Sequence, residues 1–189
     1  MNSFSEDIIF CTKTLKSGGI ILYPTDTIWG IGCDATNSAA VKRIYQLKKR
    51  AETKSMILLL SDKEMLTEYV GNPSKKILLY LQKQIKPTTA IFENAINLPA
   101  IIINNDGTVG MRITQDKFCK TVIERLKRPL VSTSANISGE SFPQNFLEIS
   151  AKIKAGVDYI VQHRQNDFEK KAPSSIIKLN SGNEIEVIR

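Results

Sequence analysis

Histidine is almost missing from this chain of 189 residues: His163 is the only one. A Ser-His-Asp hydrolase or a histidine-based metal cluster therefore has little to be built from. Cysteine is scarce as well, and Cys11, Cys33 and Cys119 are odd in number, widely spaced and without a CxxC pair. That pattern reads as buried free thiols in a reducing cytoplasm rather than a disulfide framework or a zinc site. There is no GxxxxGK[ST] phosphate loop. No apolar run is long enough to span a membrane, and the opening "MNSFSEDIIF" brings acids early, so neither a span nor a secretory leader is expected. Aromatic residues make up only 7%, too few to interleave with basic residues in the manner of single-strand nucleic-acid readers.

What is present is an apolar content of 42%, enough for a real core, and no break in composition that would divide the chain. Lys and Arg outnumber Asp and Glu by 26 to 19, giving +7, a balance that favours anionic partners such as nucleotides, phosphates or tRNA. The pattern predicts a helix capped at Ser5 and stopped at Gly18-Gly19, with a buried strand "IILYP" after it. A helix "SAAVKRIYQLKKR" and a strand "MILLL" follow, the continuous apolar run of a sheet covered on both faces. Ser61 and Glu64 read as a capping box for the next helix, and "SKKILLYLQKQ" as another. Strands are expected at "TTAIF", "AIIIN" and "TVGMRI", with Asn104 to Gly107 as the turn between the last two. A helix over Asp116 to Lys127 leads into strand "PLVST". The tail reads as a helix in "FLEISAKIKAG" and strands "DYIVQ", "SSIIKL" and "EIEVI". Helices alternating with buried strands, then strand pairs, predict one α/β domain around a mixed sheet.

Three stretches carry polar groups in unusual places. In the helix before Arg50 the apolar stripe is Val41, Ile44 and Leu47, and helical phase sets Lys48 on its edge. Lys42, Gln46 and Lys49 share another face and need only water. Lys48 is thus a cation directed toward packed structure. It is either a snorkelling lysine at a helix end or, with Arg50 and Lys54 close behind, part of a grip on a phosphate chain. In "YPTDTIWGIG" a buried strand stops at Pro24 and Thr25, Asp26 and Thr27 follow at the strand end, where α/β sheets bind ligands; a plain Asp/Thr turn is the alternative. "GIGCDA" matches the loose GxGxx[GA] pattern, but the next helix begins near Ser38, too late for a dinucleotide fingerprint. "VSTSANISG" crowds Ser132, Thr133, Ser134 and Asn136 behind an apolar run, as a solvated connection or as the wall of a site for a polar ligand.

"YPTDTIWGIG", "LKKRAETKSMILLL", "TVGMR", "PLVSTSANISGE" and "PSSIIKL…IR" occur in the order of the YrdC-like threonylcarbamoyl-AMP synthases, and the chain resembles that family from about Gly18 to Arg189. The resemblance implies a single YrdC-like domain over 1–189, an α/β fold with a twisted open mixed sheet flanked by helices. It implies a nucleotidyl transfer in which L-threonine, bicarbonate and ATP give threonylcarbamoyl-AMP and pyrophosphate for threonylcarbamoyladenosine modification of tRNA. It carries roles to particular positions. Lys48 and Arg50 become the catalytic cations. Lys48, Arg50, Lys54, Thr108, Ser134, Asn136 and Arg189 become ATP contacts, and Thr27, Arg112, Ser132 and Ser174 threonine contacts. On this view "STSAN" is ligand wall. Mg²⁺ bound through the ATP phosphates, with no protein metal site, is expected, as is weak, non-specific tRNA binding and a transient contact with the threonylcarbamoyl transferase machinery. A non-catalytic double-stranded RNA or tRNA-binding module is the alternative. The related hydrogenase-maturation carbamoyltransferases belong to much longer chains with zinc-type cysteine motifs. Departures from the family are Ala51 in place of proline, Ser55-Met56 in place of Pro-Leu, which makes a less rigid loop, and Leu59 where longer relatives carry a histidine. Arg189 ends the chain beside its own carboxylate.

Overall fold

The computed structural model describes residues 3–54 and 56–189. Ser55, half of the Ser-Met departure, lies outside the described residues. The chain opens with helix α1 (Ser3–Lys16), which already includes Ser3, two residues ahead of the cap expected at Ser5. Phe4 explains the longer helix. Its ring stands edge-on to Phe118 and to His163, with centroids 5.6 and 5.1 Å away, so packing holds the first turn. His163 is accordingly a packed ring.

The nine strands among the described residues join one sheet in the order β7-β1-β2-β6-β3-β5-β4-β8-β9. β1 (Ile21–Tyr23) lies between β7 (Tyr159–Ile160), which is parallel to it, and β2 (Gly30–Gly32), which is antiparallel. β6 (Leu130–Ser134) joins the two halves: Thr133 and Ser134 pair with β2, while Leu130, Val131 and Ser132 pair with β3 (Ile57–Leu60). β5 (Val109–Ile113) runs parallel to β3 and antiparallel to β4 (Thr88–Phe92). β8 (Ser175–Leu179) and β9 (Ile185–Val187) complete the far edge. The mixed α/β sheet flanked by helices agrees with the expected class.

β2 is absent from the strands expected from the sequence, where two glycines in three residues give no strand pattern. The structure shows why glycine is required: a Cβ on Gly32 would stand 2.4 Å from the Val131 carbonyl oxygen and 2.8 Å from the Tyr23 ring. Close backbone approach, rather than flexibility, selects the residue. Conversely, "AIIIN" is not a strand but a short 3₁₀ turn (Ala100–Ile102) entered from Pro99. Both neighbours of β5 in the sheet are already taken, by β3 and β4, so this apolar run buries Ile102 without pairing.

α2 (Ser38–Lys48) has the expected phase: Val41, Ile44 and Lys48 are buried, and Lys42, Gln46 and Lys49 are exposed. α3 (Lys63–Val70) is not capped by Ser61. Asp62 is the N-cap, accepting from the Met65 amide at 2.7 Å, and Ser61 donates to its other oxygen at 2.6 Å. A carboxylate makes the stronger cap because it also meets the positive end of the helix dipole. These donors hold the Asp62 carboxyl below its usual pKa. α4 (Lys75–Gln82) and α5 (Lys117–Leu126, capped by Asp116) match the expected helices. The last helix shrinks to α6 (Ala151–Ala155), starting at its Ser150 cap. Cys11, Cys33 and Cys119 are free and buried, as the spacing predicted.

Candidate active site

A cavity of about 650 Å³ opens on one face of the sheet. Alternation along the strands selects most of its floor: Gly30, Ile57, Thr89, Ile91, Gly110, Arg112, Ser132, Ser134 and Ile176 are all lining residues, and Ala90 and Met111 between them face the opposite side, while Thr133 also lines the cavity. Leu58 and Val131, on that opposite side, are fully buried. Eight of the eleven candidates from the sequence meet at this cavity: Thr27, Arg50, Lys54, Arg112, Ser132, Ser134, Ser174 and Arg189. Lys48, Thr108 and Asn136 are not among its lining residues.

Arg112 is the most constrained of these groups. It is 4% exposed and stands 2.8 Å from Asp26 through Nη1 and Oδ1. The contact is an ion pair without hydrogen-bond alignment. Nη1 and Nε of Arg112 and Oδ1 of Asp26 all lack a hydrogen-bond partner. A buried guanidinium with two of its nitrogens outside any hydrogen bond beside the cavity is costly unless a ligand takes their N–H groups. A planar carboxylate matches that fork best.

Above the floor, the loop after β1 is held from within. The Thr25 hydroxyl donates to the Ile28 carbonyl, accepts from the Thr27 amide and lies 2.8 Å from the Thr27 hydroxyl. Arg164 adds a hydrogen bond to the Thr25 carbonyl and an ion pair with Asp116 at 2.6 Å. Thr27 is thus presented at a fixed height by Thr25, which the sequence marked only as one polar residue among several.

The cationic side is built from the loop after α2 and the segment after β9. Arg50 follows the left-handed cap Lys49, and its Nε donates to the Lys54 carbonyl at 2.9 Å, closing the 50–54 turn. Burial draws the Arg50 pKa below its ordinary value. Arg189 is tied down: its guanidinium donates to the Ser174 carbonyl at 3.1 and 3.3 Å, and its own carbonyl accepts from the Ile176 amide.

Lys48 is only 1% exposed, and its ammonium donates to the carbonyl oxygens of Ser134 and Asn136, the latter at 2.6 Å, with Asn136 Oδ1 at 3.4 Å. Burial lowers its pKa to about 7, with the Arg50 charge adding to the effect, while the three oxygens favour the charged form. Asn136 also donates to the Glu140 carbonyl, and Ser138 donates its amide to the Lys48 carbonyl. The end of α2 and the 134–140 loop are therefore one hydrogen-bonded unit, and Lys48 is its centre. Thr108 directly follows the Asn104–Gly107 turn, its hydroxyl accepting from the Asn104 side-chain amide and donating to Asp106. Leu59, in place of a histidine, is fully buried between Arg112 and Leu130 on the neighbouring strands.

The Sua5/YciO/YrdC family model, described as telomere recombination, matches residues 13–189. The chain is 31% identical over 150 residues to a threonylcarbamoyl-AMP synthase of Pseudoalteromonas translucida, covering 78% of this chain and 80% of that one. It is 33% identical over 144 residues to a threonylcarbamoyl-AMP synthase of Hydrogenovibrio crunogenus, covering 74% and 77%. A solved P. abyssi Sua5 variant shares the fold, with a TM-score of 0.85 at 23% identity over 100% of this chain, which spans 57% of that one. By the family model and both relatives, the chain belongs to the Sua5/YciO/YrdC family.

Proposed function

We propose that this protein is an L-threonylcarbamoyladenylate synthase, a nucleotidyltransferase acting on L-threonine, bicarbonate and ATP. The threonine amine and bicarbonate condense to a carbamate with loss of water. A carbamate oxygen then attacks the α-phosphorus of ATP, the bond to the bridging oxygen breaks, and pyrophosphate leaves. The observation that carries this reading is Arg112, buried with Nε and Nη1 outside any hydrogen bond, Nη1 only ion-paired to Asp26, at the floor of a cavity whose rim bears Arg50, Lys54 and Arg189. One cation is set in the sheet for a small carboxylate, and three stand where a longer polyanion can lie.

In this reading Thr27, Ser132 and Ser174 line the threonine end, with Arg112 on its carboxylate. Arg50, Lys54 and Arg189 draw charge toward the leaving pyrophosphate, and Ser134 lies against the nucleotide. Lys48 supports the nucleotide end through Ser134 and Asn136, which its ammonium holds. Thr108 serves ATP through the turn that presents Asn104 to the cavity. Such chemistry depends on positioning and on electrostatic stabilisation of the leaving group more than on a general base. Among the described residues the cavity wall contains hydroxyls and cations but no Asp or Glu side chain, so Mg²⁺ would be held by phosphate oxygens and water, neutralising phosphate charge. Direct contact with tRNA is weak and non-specific in this view, and the adenylate passes to the transferase machinery by a transient encounter in the cytoplasm.

The test is pyrophosphate release from ATP that requires both threonine and bicarbonate, with labelled bicarbonate carried into the product. Absence of turnover together with tight double-stranded RNA binding would instead favour a binding module.

A further inference from the structure

The floor of the cavity holds Thr89 on β4, which no motif marks, and Gly110 on β5, which lies inside the "TVGMR" stretch but to which no role was carried. The antiparallel register that pairs Ala90 with Met111 sets Thr89 directly beside Arg112 on the same face, with Cβ atoms about 5 Å apart. Thr89 is 1% exposed, and its hydroxyl lies 2.9 Å from that of Ser174, itself 6% exposed. Two hydroxyls that share one hydrogen keep a second O–H and further lone pairs. Among the described residues, neither hydroxyl has another recorded partner.

Gly110 is buried yet has room above it. A Cβ there would meet only Thr89 Cγ2 at 3.5 Å and Ile57 Cγ1 at 3.8 Å, both ordinary contacts. The missing side chain therefore leaves a notch one methyl wide between two apolar groups. Thr89 contributes to both features: its methyl flanks the notch and its hydroxyl faces Ser174.

We infer that Thr89 and Gly110 set the amino-acid specificity of this site: the Thr89–Ser174 hydroxyl pair reads a side-chain hydroxyl, and the notch over Gly110 takes a methyl on the same carbon. With Arg112 on the carboxylate, the three neighbours form an array matched to a β-hydroxy α-amino acid that also has a β-methyl. This rests on the reaction proposed above, with Arg112 as the carboxylate contact. A hydroxyl-reading site rejects analogues without the hydroxyl, because its own buried groups are then left unpartnered.

The experiment measures dissociation constants by calorimetry, and kcat/KM by pyrophosphate release, for threonine, serine and valine. The variants are Thr89→Val, Thr89→Ser and Gly110→Ala, each checked for an unchanged melting profile. Wild type should prefer threonine to both analogues. Thr89→Val removes the hydroxyl at constant shape and should cut the threonine-to-valine preference at least tenfold, while Thr89→Ser, which restores the hydroxyl, should keep it. Gly110→Ala fills the notch and should cut the threonine-to-serine preference at least fivefold, with serine itself little affected. An unchanged threonine-to-valine ratio in Thr89→Val overturns the hydroxyl assignment, and an unchanged threonine-to-serine ratio in Gly110→Ala overturns the methyl assignment. If wild type binds threonine but releases no pyrophosphate, the proposed reaction fails, and the ratios of dissociation constants still decide the specificity of the site.

Discussion

Replacing Lys48 with methionine separates two effects that oppose each other. The ammonium is 1% exposed and donates to the Ser134 and Asn136 carbonyls. Lys48→Met keeps the length of the stem and abolishes the cost of holding a charge away from water, but it orphans two carbonyls at about 1–3 kcal/mol each. Near neutral pH these terms largely offset, so the informative quantity is the pH dependence. In the unfolded chain this lysine titrates at 10.5, and in the fold at about 7. Between those values the unfolded state binds more protons, so stability rises with pH, by at most about 1.4 kcal/mol per pH unit. Below pH 7 both states are protonated and the contribution is flat. Urea unfolding midpoints from pH 7 to 9.5 should therefore climb more steeply in wild type than in Lys48→Met, with the difference between the two isolating this group from other titrating side chains. The variant should also have a raised KM for ATP, because the 134–140 loop loses its central donor. Parallel pH slopes for the two proteins would refute the claim that a desolvated ammonium holds this loop.

Arg112→Lys keeps a positive charge beside Asp26 but loses the planar fork. It should lower kcat/KM for threonine by about 10- to 100-fold, the worth of a charge-assisted pair of hydrogen bonds, with most of the change in KM for threonine and little in KM for ATP. Gly32→Ala would force a Cβ to 2.4 Å from the Val131 carbonyl, so the β2–β6 pairing must shift; the melting temperature should drop by several degrees, about 1–3 kcal/mol, with activity per folded molecule falling as well. Binding of tRNA, measured by filter retention across salt concentrations, should be weak, insensitive to sequence and steeply salt-dependent, since basic residues are scattered through the chain. A tight complex that discriminates among tRNA sequences at physiological salt would contradict it.

Where the sequence was readable, one face of an element dominated its pattern. The Val41, Ile44, Leu47 stripe predicted the burial of Lys48 because a helix repeats every 3.6 residues and leaves little freedom in phase. The apolar run "MILLL" announced β3 for the same kind of reason. What stayed hidden depended on neighbours that only the fold supplies. β2 looks like loop because its glycines answer to the Val131 carbonyl and the Tyr23 ring, residues distant in the chain. Thr89 is an ordinary strand former in "TTAIF", and nothing local says that β4 will lie beside Arg112. The family motifs likewise brought Lys48 to the site by position in a pattern, whereas the three oxygens around its ammonium are a property of how the 134–140 loop closes on α2.

The two ends of the cavity are supported differently, and this bears on how it works. Arg112, Thr89 and Ser132 project from paired strands, so their positions are fixed to the precision of the sheet itself. Arg50 and Lys54 belong to the turn after α2, and Arg189 follows the edge strand β9. The Arg50 side chain donates to the Lys54 carbonyl within its own turn, and the Arg189 guanidinium donates to the Ser174 carbonyl in a loop. Loops and sheet-edge segments have lower local stability than central strands and open more easily. A small amino acid that must be chosen for its shape is best read by the rigid end. A triphosphate that must enter, lose pyrophosphate and let it go is better served by cations that can follow it, since contacts that strengthen only as charge moves to the leaving group raise turnover, whereas equally tight binding throughout would not. In the reaction proposed above, selectivity rests on the sheet and turnover on the loops, and changes in the 50–54 turn should alter kcat while leaving the choice among amino acids as it was.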